Sequence, residues 1–473
     1  MLISNELLVS LEHAYVIAGW GIRFAMLGIL PRRRTPQAAT SWLLLIVLLP
    51  VPGLILFLAI GRATVPQLRG KRFADLAPFL AEAATRLEKD AAADTGRPND
   101  VASLSAALGG FPAVRGNSLA FLDDYDGMID RLVTDIDGAS RHVRLLVYIF
   151  ADDATGTKII DALARAVDRG VICHVLIDPV GSHRWRRGTL AALKQAGVDA
   201  RDTLPVSFIT FRKRSDMRNH RKLFIIDGLI GYAGSQNIVD KNFRPGVTNQ
   251  EMEVRVVGPL VAEMTAVFIA DWYAETEVML DTCINIAPAA GETAAQMLPS
   301  GATYKLRGFE TILVWQIHSA RQRVILTTPY FIPDEALLGA MRTAVARGVE
   351  VILIVSAIAD QKIVRLAQCS YYDDLLTAGV RIYCFGSFLL HAKNVSIDGR
   401  LGIVGSSNMD IRSFQLNEEV SLLLLDQPTV AALEAIQWQA LTNCEAINLQ
   451  TWRERSKLRQ VGEGLARLVS PLL

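Results

Sequence analysis

One residue pattern occurs twice in this chain, and it limits the folds open to it more than any other feature. NHRKLFIIDGLIGYAGSQN (Asn219–Asn237) holds His220, Lys222, Asp227, Gly234, Ser235 and Asn237. LHAKNVSIDGRLGIVGSSN (Leu390–Asn408) holds His391, Lys393, Asp398, Gly405, Ser406 and Asn408. Both read H-x-K-x4-D-x6-G-S-x-N, and the histidines are 171 residues apart. A lone H-x-K on a strand, or a lone Asp-Gly turn, would mean little. Two copies matching at every spacing point to a duplicated fold.

The duplication extends beyond the motif. Val143–Phe150 reads as a buried strand. A helical run, Thr157–Asp168, follows, then Arg169-Gly170-Val171 and a strand ending at Ile177. Val324–Phe331, Ala336–Ala346, Arg347-Gly348-Val349 and Val351–Val355 repeat that order. Tyr148 and Tyr330, Asp152 and Asp334, and Gly197-Val198 and Gly379-Val380 are matched pairs with a common offset of 182. Strand–helix–strand alternation predicts an α/β fold with parallel sheets covered by helices. The period is too long for a solenoid, so the expectation is two duplicated domains packed about a pseudo-twofold axis.

The spacing carries chemistry. On a strand, positions i and i+2 face the same way, so each His and Lys project together. Asp-Gly supplies a tight turn. A returning strand (Leu229–Ala233 or Leu401–Val404) then brings Gly-Ser-x-Asn beside the His–Lys end. Two Lys, two Ser and two Asn converging with two His suit an anionic tetrahedral centre such as a phosphodiester. A zinc site fits poorly, because no His/Cys cluster has ligand spacing and a Lys beside each His would repel a cation. Gly231–Ser235 lacks the Lys-Ser/Thr ending of a nucleotide-phosphate loop. His13, His142, His174, His183 and His318 lack the motif's setting and are read as structural.

Residues 1–61 are unlike the rest. They carry six charges, and none lies between Arg34 and Arg62. Trp42–Ile60 is 19 almost purely apolar residues, enough to span a hydrocarbon core of about 30 Å, with a kink expected near Pro50. A secretory signal would be shorter and start earlier. Leu7–Leu30 is apolar but contains Glu12, His13 and Arg23; it reads either as a second span or as an interfacial helix. If both span, they form a hairpin around Pro31–Thr40. The Lys/Arg distribution does not fix sidedness. The five scattered cysteines, with no CxxC pair, point to reduced, buried thiols and a cytosol-facing body.

Charge narrows the function classes. The 473 residues hold 49 Lys plus Arg and 48 Asp plus Glu, a net charge of +1. Residues 1–61 net +2, so the remainder nets −1, which argues against a nucleic-acid groove. Trp452–Leu468 combines Arg453, Arg455, Lys457, Arg459 and Arg467 with Leu458, Val461, Leu465 and Leu468. It reads equally as a cap on the core or as a helix on anionic lipid, and Gly462 and Gly464 weaken it as a helix. Arg212, Lys213 and Arg214, upstream of Asn219, read as steering groups for anionic headgroups or as a solvated loop.

The paired motif resembles that of the phospholipase D superfamily. Nearly the whole chain resembles bacterial cardiolipin synthases of the phospholipase D type: the apolar hairpin, YIFADDATG (Tyr148–Gly156), NHRK (Asn219–Lys222), GSQNI (Gly234–Ile238) and PYFIPDEAL (Pro329–Leu337). SYYDDLLTAGVRIY (Ser370–Tyr383), NMDIRSF (Asn408–Phe414), LNEEV (Leu416–Val420) and SPLL (Ser470–Leu473) complete it. Val147 departs from the pattern, since related sequences often carry a polar or aromatic residue there, and it is expected to alter the pocket.

The resemblance implies a transmembrane hairpin at 1–61 (about 7–30 and 42–60) and a helical linker at 62–115. Two phospholipase D-like α-β-α domains, 116–288 and 289–473, would follow. It implies phosphatidyl transfer between two phosphatidylglycerols, giving cardiolipin and glycerol through a phosphohistidine, with no metal or cofactor. His220 would be the nucleophile and His391 the acid/base, although the motifs are too alike to decide. Lys222, Lys393, Asn237 and Asn408 would hold the phosphoryl oxygens, assisted by Ser235 and Ser406. Asp227 and Asp398 belong to the catalytic motif, yet their place at the turn predicts a structural role. Glu251 and Glu419 would orient the imidazoles, with Glu253 a rival for Glu251. The partners implied are phosphatidylglycerol and membrane lipid, not nucleic acid, with the chain in a bacterial inner membrane and its body cytoplasmic. The alternatives are a phospholipase D releasing phosphatidate, a membrane-tethered nuclease of the superfamily, and a non-catalytic scaffold, for which two intact His–Lys pairs would be superfluous.

Overall fold

A computed structural model describes residues 5–34, 36–61, 67–91, 100–205, 217–281, 283–304, 306–358 and 361–470. Arg212, Lys213 and Arg214 lie outside the described residues. In the first half the sheet strands are β1 (Val114–Leu122), β2 (His142–Val147), β3 (Ile172–Ile177), β4 (Asp199–Asp202), β5 (Leu223–Ile226), β6 (Ile230–Gly234) and β7 (Glu253–Val257). In the second they are β8 (Thr293–Ser300), β9 (Arg323–Thr328), β10 (Glu350–Ser356), β11 (Arg381–Phe385), β12 (Asn394–Ile397), β13 (Leu401–Gly405), β14 (Glu419–Leu424) and β15 (Cys444–Ala446).

These strands form one 15-stranded sheet, in the order β15-β11-β10-β9-β12-β13-β14-β8-β1-β7-β6-β5-β2-β3-β4. Apart from β15, the order on one side of the β8–β1 junction mirrors that on the other. The junction is antiparallel, pairing Val114 with Ala295 and Asn117 with Thr293. The duplicated halves therefore meet edge to edge, which closes two sheet edges that would otherwise expose unpaired backbone. The expected parallel sheet holds only for β2-β3-β4 and β9-β10-β11. The motif strands pair antiparallel, β2-β5-β6-β7 and β9-β12-β13-β14; between β5 and β6, and between β12 and β13, Asp-Gly reverses the chain directly rather than through a crossover helix.

Apolar cores fill each half, and a third contains residues of both. The helix Leu260–Thr276 is buried along most of its length in that shared core. The segment expected as a linker forms the helices Gln67–Asp75, Ala77–Ala91 and Asp100–Gly109, and β1 begins within its last residues. It is docked on the body: buried Arg69 pairs with Asp271 at 3.2 Å and also with Glu275. Val147 does not alter a pocket; it is fully buried in the first-half core.

The N-terminal region differs from expectation. α1 (Asn5–Arg33) is one continuous helix, and its Glu12–Arg32 portion is long and apolar enough to cross a membrane. Trp42–Ile60, expected as the stronger span, is divided into α2 (Pro36–Leu48) and α3 (Pro50–Ile60). Pro50 cannot donate a backbone hydrogen bond, and it biases Leu49 away from helical geometry (φ −132°, ψ 78°). Arg23, the charge that weakened α1 as a span, donates to the Val47 carbonyl at this break through Nε (3.1 Å) and Nη2 (3.0 Å). Met26, Leu30, Trp42, Ile46 and Phe57 pack the three helices together.

Candidate active site

Each motif histidine is positioned by both halves. The His220 N–H donates to the Glu418 carbonyl (2.8 Å), and the Glu418 N–H donates to the Arg218 carbonyl (2.8 Å). In the other half, Leu389–Leu390 pairs in parallel with Asn249–Gln250, and the His391 N–H donates to the Gln250 carbonyl (2.7 Å). The strand segment before each His is thus bound to the segment that ends in a glutamate of the opposite half.

Those glutamates take the imidazoles. His220 Nδ1 is 3.0 Å from Glu419 Oε2, and His391 Nδ1 is 2.7 and 2.8 Å from the two Glu251 oxygens. Burial pushes both carboxyl pKa values up, but the opposing His, its own hydrogen bonds and the nearby lysines outweigh this and hold them below the usual range. An ionised carboxylate only accepts, so Nδ1 carries the proton and Nε2 of each neutral ring is left with its lone pair. Burial lowers both His pKa values, that of His391 to about 4. Glu253 makes no such contact; it accepts from the Gln236 N–H (3.2 Å), and burial drives its pKa well up.

Both histidines line one cavity of about 320 Å³, together with Asn237 and Asn408. Asn237 Oδ1 accepts from the Ile149 N–H (3.0 Å), which leaves its amide NH2 for the cavity. Lys222 Nζ donates to the His220 carbonyl (2.7 Å), and Lys393 Nζ donates to that of His391. Burial is the main cause that lowers their pKa values, to about 8 and about 7.

Two sets of motif residues sit elsewhere than the motif suggests. The Ser235 hydroxyl donates to Glu251 (2.6 Å) and that of Ser406 to Glu419 (2.5 Å), so each serine holds the carboxylate that holds the opposite histidine rather than a substrate oxygen. Asp227 and Asp398 stand at the far end of the motif strand and do not reach the cavity. Asp227 accepts from the N–H groups of Ser140, Arg141 and His142. Asp398 accepts from those of Arg321, Gln322 and Arg323. At φ +55° and +54° they occupy a turn conformation that Asp tolerates better than most side chains.

Other site residues were not singled out by the motif. The Tyr148 ring lies 4.9 Å from the His220 ring, edge to face, and Lys222 Nζ lies 5.4 Å from its centre. Tyr148, Tyr330, Arg218, Arg244 and Arg412 line the cavity. The two tyrosines were visible only as repeat markers; their position at the ends of β2 and β9, beside the motif strands, was the available signal.

A family described as "Cardiolipin synthase, PLD-like domain" matches residues 132–272 and 313–440. The chain is 32% identical to Cardiolipin synthase A of Erwinia tasmaniensis over 97% of this chain and 99% of that protein. It is 34% identical to Cardiolipin synthase A of Yersinia pseudotuberculosis serotype O:1b over 97% of this chain and 96% of that one. Among solved structures, phosphatidylserine synthase of Haemophilus influenzae superposes with a TM-score of 0.62 at 15% identity, over 79% of this chain and 100% of that one, which shows a shared fold.

Proposed function

Since the chain belongs to the cardiolipin synthase family of phospholipase D-like phosphatidyltransferases, we propose that it moves a phosphatidyl group between two phosphatidylglycerols, giving cardiolipin and glycerol. The observation that carries the reading is the pair of Nδ1-anchored imidazoles opening on one cavity. Nε2 of His220 attacks the phosphorus of the first lipid and forms a phosphohistidine. His391 enters as the imidazolium, which the Glu251 carboxylate stabilises, gives its Nε2 proton to the departing glycerol oxygen, and, now neutral, takes the proton from a hydroxyl of the second phosphatidylglycerol as that oxygen displaces His220. Lys222, Lys393, Asn237 and Asn408 supply positive charge and donors for the phosphoryl oxygens, and no metal is required. Ser235–Glu251 and Ser406–Glu419 are positioning pairs.

The chain would be held in a bacterial inner membrane through α1, with α2 and α3 as the second, bent arm of a multi-pass hairpin and the body in the cytoplasm. The test is purified protein in micelles with labelled phosphatidylglycerol and no added divalent cation. Cardiolipin and free glycerol are expected. Phosphatidate as the main product would make it a lipase, and cleaved DNA with intact lipid would overturn the reading. His220→Ala should abolish a trapped phosphoenzyme and His391→Ala should accumulate it; the reverse would exchange the two roles.

A further inference from the structure

The helix Lys457–Val469 turns its charged side to the protein and its apolar side outward. Glu463 is 1% exposed and pairs with Arg455 (2.9 Å) and Arg459 (3.1 Å), with Ala466 buried nearby. Leu458, Val461, Leu465 and Leu468 are 86%, 60%, 61% and 49% exposed. At positions i, i+3, i+7 and i+10 they form one stripe along the helix. A helix capping a soluble core has the opposite arrangement.

Two contacts show where the stripe leads. The Leu468 carbonyl accepts from Ser41 Oγ of α2 (2.7 Å), so the stripe meets a helix whose Leu44, Val47 and Leu48 are also exposed. At the same end, Ser470 lines the cavity shared by His220 and His391. Exposed Lys457 precedes the stripe, and Arg453, also exposed, ends the preceding short helix Leu449–Arg453 and pairs with Asp373 (2.9 Å). A stripe of four side chains is far below the roughly 20–30 residues per side of a stable protein interface. Apolar side chains beside Lys and Arg instead match the boundary of an anionic lipid leaflet.

We propose that the helix Lys457–Val469 lies in the interface of an anionic phospholipid bilayer, as an attachment additional to α1, and holds the mouth of the cavity against the lipid surface. This rests on the reading above that the substrate is a bilayer lipid. The stripe and the apolar N-terminal helices form one continuous lipid-facing surface, and the cavity opens beside it.

Full-length protein would be compared with Leu458→Ser/Val461→Ser/Leu465→Ser on phosphatidylglycerol–phosphatidylcholine vesicles and on short-chain monomeric phosphatidylglycerol. Removing the stripe should raise the vesicle concentration for half-maximal rate about ten-fold and leave kcat/KM on the monomeric lipid unchanged. Leu465→Trp in nanodiscs containing brominated lipid should show quenching beyond that of the unsubstituted protein. Unchanged vesicle kinetics, or no added quenching, would overturn the proposal. So would a dimer that the triple substitution dissociates without any quenching at position 465, which would assign the stripe to a second copy. If the unsubstituted protein turns over neither the vesicle lipid nor the monomeric lipid, the reading of its activity fails, while the quenching still decides the placement of the helix.

Discussion

Glu419 and His220 belong to opposite halves of the chain, and the 3.0 Å contact between Glu419 Oε2 and His220 Nδ1 crosses the pseudo-twofold boundary. Glu251 and His391 form the reciprocal contact. Neither half alone contains an oriented histidine, so the duplication produces a single site rather than two. Glu419→Gln keeps an acceptor near Nδ1 but removes the charge that fixes the tautomer and stabilises an imidazolium. kcat should fall about 10–100-fold with KM within about two-fold, and Glu251→Gln should behave alike. Rates of cardiolipin formation in micelles check this; an unchanged kcat would show that the carboxylates do not position the rings.

The lysines give the site an alkaline limit. Burial lowers Lys393 to about 7 and Lys222 to about 8, with nearby Glu251 and Glu419 partly opposing it. In the proposed reaction the charged forms attract the phosphodiester, and they are lost as pH rises through those values. kcat/KM, which reports the free enzyme, should therefore decline from about pH 7 to 8 upward, and Lys393→Met should remove the lower step while reducing the rate throughout. A profile flat to pH 9 would show that the ammonium groups do not titrate in this range.

The convergence of His220 and His391 was legible because identical spacings in a duplicated α/β chain leave few other arrangements. The glutamates were legible only as candidates. Which imidazole each takes depends on the pairing of the segment before His220 with Glu418, across some 200 residues of chain, and no local pattern encodes such a contact. The serines were misread for the same reason: Ser235 looks toward substrate in sequence but toward Glu251 across the β6–β7 ladder in space. The sheet direction was half legible. Apolar strand–helix–strand runs mark the parallel strands, while Asp-Gly turns mark only the β5–β6 and β12–β13 hairpins, and the other antiparallel pairs join strands with no local signal between them. At the N-terminus the interruption of Trp42–Ile60 was legible from Pro50, whereas the contact of Arg23 with the Val47 carbonyl at that break was not, because it joins two helices 24 residues apart.

Asp398 tests whether motif membership means chemistry. Its carboxylate satisfies three consecutive N–H groups at the start of β9, at 2.8–2.9 Å. Asp398→Ala should cost about 2–3 kcal/mol and lower the unfolding temperature, while kcat at a permissive temperature stays within about two-fold. Asp227→Ala should match it. Asp227's own pKa is subject to burial, which raises it, but is held below the usual range by backbone donors. Its contribution is therefore full above its unfolded pKa of about 3.9 and fades as pH falls through the lower folded value. A kcat loss comparable to that of the histidine variants would return the aspartates to the chemistry.

Arg221 distinguishes the halves, because its counterpart in the second motif is Ala392. It is buried and pairs with Asp271 (2.5 Å) and Glu418 (3.0 Å), and its Nε donates to the Glu419 carbonyl (3.0 Å). Arg69 of the docked N-terminal segment joins the same cluster through Asp271. Arg221→Met leaves two buried carboxylates short of a cation and should destabilise the protein by about 3–5 kcal/mol. It should also lower kcat, because the Glu419 backbone loses a donor beside the residue that holds His220. Adding Asp271→Asn and Glu418→Gln removes the uncompensated charge, so thermal unfolding should recover part of the loss while kcat stays low. If stability and kcat recover together, Arg221 acts on His220 only through the fold. If neither recovers, the cluster is held by its geometry rather than by its charge balance.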